Sequence, residues 1–446
     1  MTPTTPRQAA IRSLEGRIQN ARLLKRSGRL LDISTSRLTA RLEGVAIGEM
    51  CEIVDRSTGY AELARVVAIH DGLSILAPLG PVEGLSSAAM VFPAEEDLTF
   101  QCSDDLLGRL VDGLGRPIDG QPNTGPNWLK RRITAAQINP LSRPPIDAIF
   151  KSGIKSIDAL NTFGEGQRIG VFGDPGSGKS TLLGALARNA DADVCVLAMI
   201  GERGREVREF LDRQLPPSFR SRSVVVASTS DAPAIQRILG GYVANSIAEY
   251  FREQGKRVLP LFDSITRFAR ALREVGLAAG ESAVRRGFTP SVYAELPKLI
   301  ERSGRTEKGS ITAIYTVLTE NDGLDDPIAE EVRSLTDGHI VLSAELAQAG
   351  RYPAIDALKS RSRLMNEIVT PEHQAAASRI RLLMSKFLEV ELLVQVGEYR
   401  PGSDALADEA IGKRDMIAEF LSQPVNDRAE FAATLQALFD RVARPL

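Results

Sequence analysis

Residues 173–180 read Gly173-Asp174-Pro175-Gly176-Ser177-Gly178-Lys179-Ser180 and satisfy the pattern G-x-x-x-x-G-K-[ST]. The apolar run Arg168–Phe172 precedes the pattern, and a helix-like stretch, Thr181–Arg188, follows it. A strand that runs into a glycine-rich turn and restarts as a helix is the setting in which such a loop holds phosphate. Glycines let successive backbone N–H groups curl around an anion. The helix that follows adds the positive end of its dipole. Gly173, Asp174, Pro175, Gly176, Ser177, Gly178, Lys179, Ser180 and Thr181 are therefore the expected nucleotide-binding set, with ATP as ligand. Lys179 is expected to reach the β- and γ-phosphates and Ser180 to ligate Mg²⁺. Pro175 withholds one backbone donor, which the centre of the loop tolerates if the other amides converge. The alternative, a glycine-rich turn without nucleotide, sits poorly with the flanking strand and helix.

Further apolar runs lie at Val194–Ile200, Ser223–Ala227, Val258–Phe262, Ile311–Leu318 and His339–Leu342, mostly separated by helical stretches. Continuous apolar strands alternating with helices imply a parallel sheet covered on both faces. Ligands of such sheets collect at the C-terminal strand ends, and two of these runs deliver a carboxylate there. Val258–Phe262 ends in Asp263, a natural second anchor for Mg²⁺, reached through water. For Asp263 alone the alternative is a helix N-cap before Ser264–Ala271. Pro260 counts against a central strand at this position. Val194–Ile200 leads to Glu202, a candidate general base for the attacking water. By itself Glu202 could equally pair with Arg203 or Arg205 in a surface network.

Outward from this centre the composition changes. Residues 28–97 alternate short β-branched stretches (Leu38–Leu42, Cys51–Val54, Ala64–Ile69, Leu73–Ala77) with Gly, Asp and Ser turns, as in a small β-barrel. Residues 6–26 have Ile11, Leu14, Ile18 and Ala21 at helical spacing amid arginines, so the N-terminal end is locally basic. That helix is either a solvated face packed on its own domain or a docking element for a protein or an anionic membrane surface. Residues 371–446 are helical in period. The expected organisation is a basic amphipathic helix (1–26), a barrel (27–97), an ATPase domain (98–370) and a helical domain (371–446).

The whole chain of 446 residues is 43% apolar and 25% charged, which excludes a mostly disordered protein. Its 55 Lys and Arg against 57 Asp and Glu argue against a generally basic nucleic-acid binder. Three scattered cysteines and three histidines provide neither a disulfide framework nor a zinc site, which fits a reducing compartment. With no signal-type N-terminus and no run of about 18 apolar residues, a soluble cytoplasmic protein is expected.

The motifs Gly108–Gly120 (GRLVDGLGRPIDG), Ser152–Leu160 (SGIKSIDAL), the phosphate loop, Ile200–Glu206 (IGERGRE), Leu261–Arg270 (LFDSITRFAR) and Arg351–Arg363 (RYPAIDALKSRSR) occur in an order that resembles the rotary ATP synthase catalytic-subunit superfamily. Within it the chain most resembles the ATPases of type III secretion and flagellar export, over about residues 25–420. Phe268–Glu281, Glu331–Ser343 and Glu391–Ala410 look more like the virulence or symbiosis type than the flagellar one. Asp174-Pro175 stands where the family usually has small residues, and Thr289 where proline is more usual.

The resemblance implies an α/β fold: a P-loop, RecA-like parallel-sheet core with an N-terminal β-barrel and a C-terminal helical domain. It implies that Glu202 activates water, that Arg203 orients it or contacts phosphate, and that Asp263 is the Walker-B-type acid. Tyr352 resembles the aromatic residue that packs on adenine, against the alternative of a core tyrosine. Arg363 matches the arginine finger, against the alternative of a surface arginine. A finger is worth ~10³–10⁵ in rate. In the rotary synthase, catalytic carboxylate and finger sit on different subunits. Here both lie in one chain, so a finger acting on a neighbour implies a head-to-tail ring of identical copies, six by family precedent. The resemblance further implies a stator-like regulator at the N-terminal helix, a central stalk protein, secretion chaperones with their export substrates, and a peripheral contact with a membrane export gate at the inner face of the cytoplasmic membrane. The other readings open at this point are an RNA-dependent ring helicase, a proton-driven synthase subunit and a nucleotide binder that does not hydrolyse. The barrel window offers few aromatics to stack bases, so no nucleic-acid partner is expected.

Overall fold

A computed structural model describes residues 26–94, 98–123, 127–134, 139–319 and 326–443. The helix expected over 6–26 lies outside the described residues except for Arg26. The chain divides into two units between residues 97 and 98.

In the first unit, strands β1 (Gly28–Ile33), β2 (Leu38–Arg41), β3 (Met50–Asp55), β4 (Tyr60–His70), β5 (Leu73–Pro78) and β6 (Met90–Pro93) close an antiparallel barrel in the order β1-β2-β5-β4-β3-β6. Alternation places Leu38, Ala40, Cys51, Ile53, Ala64 and Val66 inside.

The second unit is built on a mostly parallel sheet. Its long-range members are β7 (Leu110–Val111), β8 (Arg168–Gly173), β9 (Val194–Ile200), β10 (Ser223–Ser228), β11 (Arg257–Asp263), β12 (Ala313–Leu318), β13 (Gly338–Leu342) and β14 (Ile355–Ser362). They lie in the order β14-β13-β8-β12-β11-β9-β10-β7, and β14 alone among these runs antiparallel. Every residue of β9 is buried, as a strand covered on both faces requires. Pro260 does sit inside a central strand. Its missing N–H falls where pairing on one side lapses: Val258 pairs with Ile311 and Leu261 with Ile314, while the β9 side stays paired at Val196. The run expected over 311–318 is broken at Thr312, whose N–H turns to the Val258 carbonyl at 2.9 Å. Sequence periodicity missed β14, because an edge strand exposes one face and mixes Lys359 and Arg361 with buried Ser360 and Ser362.

Helices α1 (Lys155–Leu160), α2 (Lys179–Asn189), α3 (Gly204–Arg213), α4 (Ala234–Glu253) and α5 (Ile265–Ala278) belong to the sheet region. Helices α6 (Pro371–Gln395), α7 (Ala405–Leu421) and α8 (Phe431–Ala437) follow it. Ala376, Ala377, Ile380, Leu383, Ala410 and Ile417 of these helices share a buried cluster with Ala159 and Leu160 of α1. That cluster ties the C-terminal helices to the segment just ahead of the phosphate loop. No helix among the described residues is long and apolar enough to cross a membrane.

Candidate active site

The phosphate loop leaves β8 at Gly173 and enters α2 at Lys179. Any side chain at position 173 would come within 2.5 Å of Ser177 Oγ and 3.0 Å of Leu342 Cβ, so glycine is required by close approach. Gly178, the residue before the helix, has φ +91°, a left-handed conformation that glycine adopts without strain. Buried Ser177 donates its hydroxyl to the Asp174 carbonyl at 2.8 Å, and Thr319 beyond β12 donates to Asp174 Oδ1 at 2.8 Å. Pro175 lies on the exposed crown of the loop, Ser180 is exposed at the first turn of α2, and Thr181 is half-buried. Lys179 is buried. Its Nζ donates to the carbonyls of Gly173 (2.5 Å) and Asp174 (2.7 Å). Burial pulls its pKa down to about 8, although the charges of Asp263, Asp174 and Glu202 oppose that shift.

The two carboxylates converge on the same end of the sheet. Asp263 ends β11, and its Oδ1 accepts from Thr316 Oγ1 at 2.7 Å. Burial raises its pKa, while the Thr316 hydroxyl and the charges of Lys179 and Arg267 pull it back. Asp263 is not the cap of the following helix: Ser264 is, accepting from the Arg267 N–H. Glu202 follows β9 and is 7% exposed. It forms an ion pair with Arg267 of α5 at 2.7 Å, and not with Arg203 or Arg205. Burial raises the Glu202 pKa, and the neighbouring Glu206 carboxyl and the negative charge of Asp263 raise it further. Arg203 points into solvent and donates to Glu206 at 2.8 Å. Among the described residues, no cluster of three His, Cys, Asp or Glu could hold a metal ion. The Ser180 hydroxyl and the Asp263 carboxylate are hard oxygen donors, the set suited to Mg²⁺ that keeps waters and nucleotide phosphates as its remaining ligands.

Beside the loop a half-open cleft lies between α2, the Tyr352–Ala354 turn and the 423–425 turn. Its walls include Leu182, Ala185, Tyr352, Pro353, Pro424 and Val425. Tyr352 is half-buried, and its ring lies 3.6 Å from the position a Gly178 Cβ would take. It is a wall of this cleft, not a core tyrosine.

Arg363 is not brought to this site. Gly338 pairs with both Ile169 and Ser362, so Arg363 stands level with Arg168, at the far end of β8 from the phosphate loop. Five residues of strand separate it from Gly173, about 17 Å, with two strand spacings of about 5 Å each across the sheet. Its Nη2 donates to the Arg333 carbonyl at 3.0 Å, and the side chain is exposed.

Sequence reading missed Thr316, Arg267, Glu206 and the 423–425 turn. Arg267 and Glu206 lie inside motifs already singled out. Thr316 is one of several strand threonines, and nothing local marks Gln423, whose side-chain partners lie as far as 270 residues away.

The fold and the loop define a nucleotide-hydrolysing enzyme of the ATP synthase type. The model of the ATP synthase alpha/beta family nucleotide-binding domain matches residues 153–362, and that of the T3SS EscN ATPase C-terminal domain matches residues 369–440. A type 3 secretion system ATPase of Xanthomonas euvesicatoria is 48% identical, with 96% of each chain covered. A flagellum-specific ATP synthase of Treponema pallidum is 45% identical, with 88% of each covered. The assembled ATPase EscN of the enteropathogenic E. coli type III secretion system superposes with a TM-score of 0.89 at 46% identity, covering 94% of this chain and 100% of that one. The same ATPase in complex with its central stalk EscO gives 0.85 at 45%, with the same coverage. The chain belongs to the family of export ATPases that serves type III secretion and the flagellum.

Proposed function

We propose that this ATPase works as a ring of identical copies, six by family precedent, in which each nucleotide is gripped by one copy and completed by Arg363 of the next. The observation that carries this reading is the separation of Arg363 from its own phosphate loop, a distance no side chain spans. An exposed guanidinium just past the end of the edge strand, bonded to the Arg333 carbonyl, is placed to meet another molecule instead. The solved assembly of EscN supports it, as a relative of the same fold that covers 94% of this chain.

Within one copy, Lys179 supplies positive charge to the β- and γ-phosphates. Tyr352 packs on adenine in the cleft beside α2. Glu202 accepts a proton from the attacking water, and Arg267 holds its carboxylate in place. Arg203, exposed and loosely held by Glu206, is the residue free to turn toward phosphate. Ser180 and, through water, Asp263 would hold Mg²⁺, which would supply positive charge to the phosphate oxygens.

The turnover energises type III protein export, by releasing chaperones and unfolding substrates. Partners are a stator-like regulator at the basic N-terminal helix, a central stalk, chaperone–substrate complexes at α6–α8, and an export gate at the membrane. The EscN–EscO complex supports the stalk by analogy. The protein works in the cytoplasm, against the inner face of the cytoplasmic membrane. The virulence or symbiosis type is favoured by Phe268–Glu281, Glu331–Ser343 and Glu391–Ala410. The flagellar role is the second reading, supported by the flagellum-specific relative. A deletion strain scored for effector secretion and for motility separates the two. For the ring, specific activity should rise with protein concentration; a concentration-independent value refutes sites shared between copies.

A further inference from the structure

Gln423 lies in the turn between α7 and α8, outside every motif above. Its side chain is 6% exposed and fully engaged. Oε1 accepts from the Lys155 N–H at 2.9 Å, while Nε2 donates to the carbonyls of Gly153 (2.9 Å) and Asp427 (2.7 Å). Two carbonyls at one end and an N–H at the other leave a single orientation for the amide. The Gln423 backbone N–H donates to the Tyr352 carbonyl at 2.8 Å. The rest of the turn grips the same surroundings. Arg188 Nη2 donates to the Val425 carbonyl at 2.9 Å, Asn189 Nδ2 to that of Asp427 at 2.8 Å, and the Ala429 N–H to that of Gly153 at 3.0 Å. Arg188 and Asn189 end α2, the helix that starts at the phosphate loop. One turn thus holds the Tyr352 wall, the far end of α2 and the 153–155 segment at once.

We infer that Gln423 is a positioning residue for nucleotide: its carboxamide sets the spacing of the cleft walls, so that the C-terminal helices on either side of the turn govern affinity for the base. This rests on the reading that the cleft takes adenine. No other side chain of this length offers two donors and an acceptor in one plane. Gln423 touches no reacting group, so it acts through Tyr352 and α2 and should alter binding more than chemistry.

The test is Gln423→Glu in the full-length chain, titrated with a ribose-labelled fluorescent ATP and assayed for phosphate release. Glutamate keeps the shape and the acceptor for Lys155, but turns an oxygen toward the carbonyls of Gly153 and Asp427. At pH 8 the dissociation constant and KM should rise about ten-fold, the scale of one unsatisfied buried group, with kcat within about two-fold of wild type. Lowering the pH protonates the carboxylate and returns one donor. The variant-to-wild-type ratio of dissociation constants should then fall toward unity by pH 6. A residue that only stabilised the fold would give neither the KM–kcat split nor this recovery. Tyr352→Ala runs in parallel. If it leaves affinity unchanged, the base-pocket reading fails. If it weakens binding while Gln423→Glu does not, the inference about Gln423 fails. Gln423→Met, uncharged and of similar length, replaces the glutamate variant should that chain not fold. Loss of the fold in both overturns the proposal, because the residue would then hold the structure and not the ligand.

Discussion

Arg363→Ala and Glu202→Ala chains, each nearly inactive alone, are expected to complement one another when mixed. Removing the finger should cost ~10³-fold or more in turnover. Removing the base should cost ~10²–10⁴-fold. In an equal mixture that assembles at random, an intact site needs a first copy that keeps Glu202, which is the Arg363→Ala chain. It also needs a next copy that keeps Arg363, which is the Glu202→Ala chain. Each condition holds for half of the positions, so up to about a quarter of the sites regain full function, against almost none in either parent. The distance in the structure makes the test sharp: Arg363 stands level with Arg168, at the wrong end of β8 to serve its own loop. Phosphate release measured after denaturing and refolding the two chains together, with co-assembly verified by native mass spectrometry, reads the outcome. Mixed assemblies that stay at the parental rate would refute sites shared between neighbours, because a chain acting alone always lacks one of the two groups.

Thr316→Val removes the hydroxyl that donates to Asp263 at 2.7 Å. Burial then pushes that carboxyl further up; kcat should fall about ten-fold and recover in part as pH rises, and a variant with wild-type kcat and pH profile would show the contact to be idle. Lys179→Ala should abolish phosphate release without lowering the melting temperature at pH 7, because burial already disfavours the charged amine; near-normal turnover would remove the phosphate loop from the mechanism. For Glu202→Gln the sign follows from its raised pKa. The folded chain holds the Glu202 proton to higher pH than the unfolded chain does, so native stability falls as pH rises through that raised value. The inactive glutamine variant should melt higher than wild type at pH 8 and about equally at pH 4. An equal gain at both pH values would mean that the buried charge is not its source.

How much of this was legible in one dimension depends on where each partner sits along the chain. The loop Gly173–Ser180 is contiguous, and its glycines, lysine and serine act within one turn of backbone, so the pattern carried its own meaning. The same holds for β9, whose seven buried residues form an unbroken apolar run, and for the alternating barrel strands. Glu202 and Asp263 could be placed at strand ends because parallel strands between helices all finish on one side. Ambiguity began where the signal depended on a neighbour. Pro260 counts against a central strand unless the lapse in pairing opposite it is known, and β14 gives no apolar run because an edge strand presents half of its residues to water. The ion pair of Glu202 with Arg267, in preference to the adjacent Arg203, follows from the packing of α5 against β9, which periodicity does not encode.

Local chemistry is written in adjacent residues: which groups bind phosphate, which segments are strands, and that a carboxylate waits at the tip of each of two of them. Register and long-range hydrogen bonding are not, because they arise from which surfaces meet when apolar faces leave water. The folding of the sheet set Arg363 level with Arg168, at the opposite end of β8 from its own phosphate loop. It also brought the Gln423 amide, far along the chain, against Gly153 and Lys155.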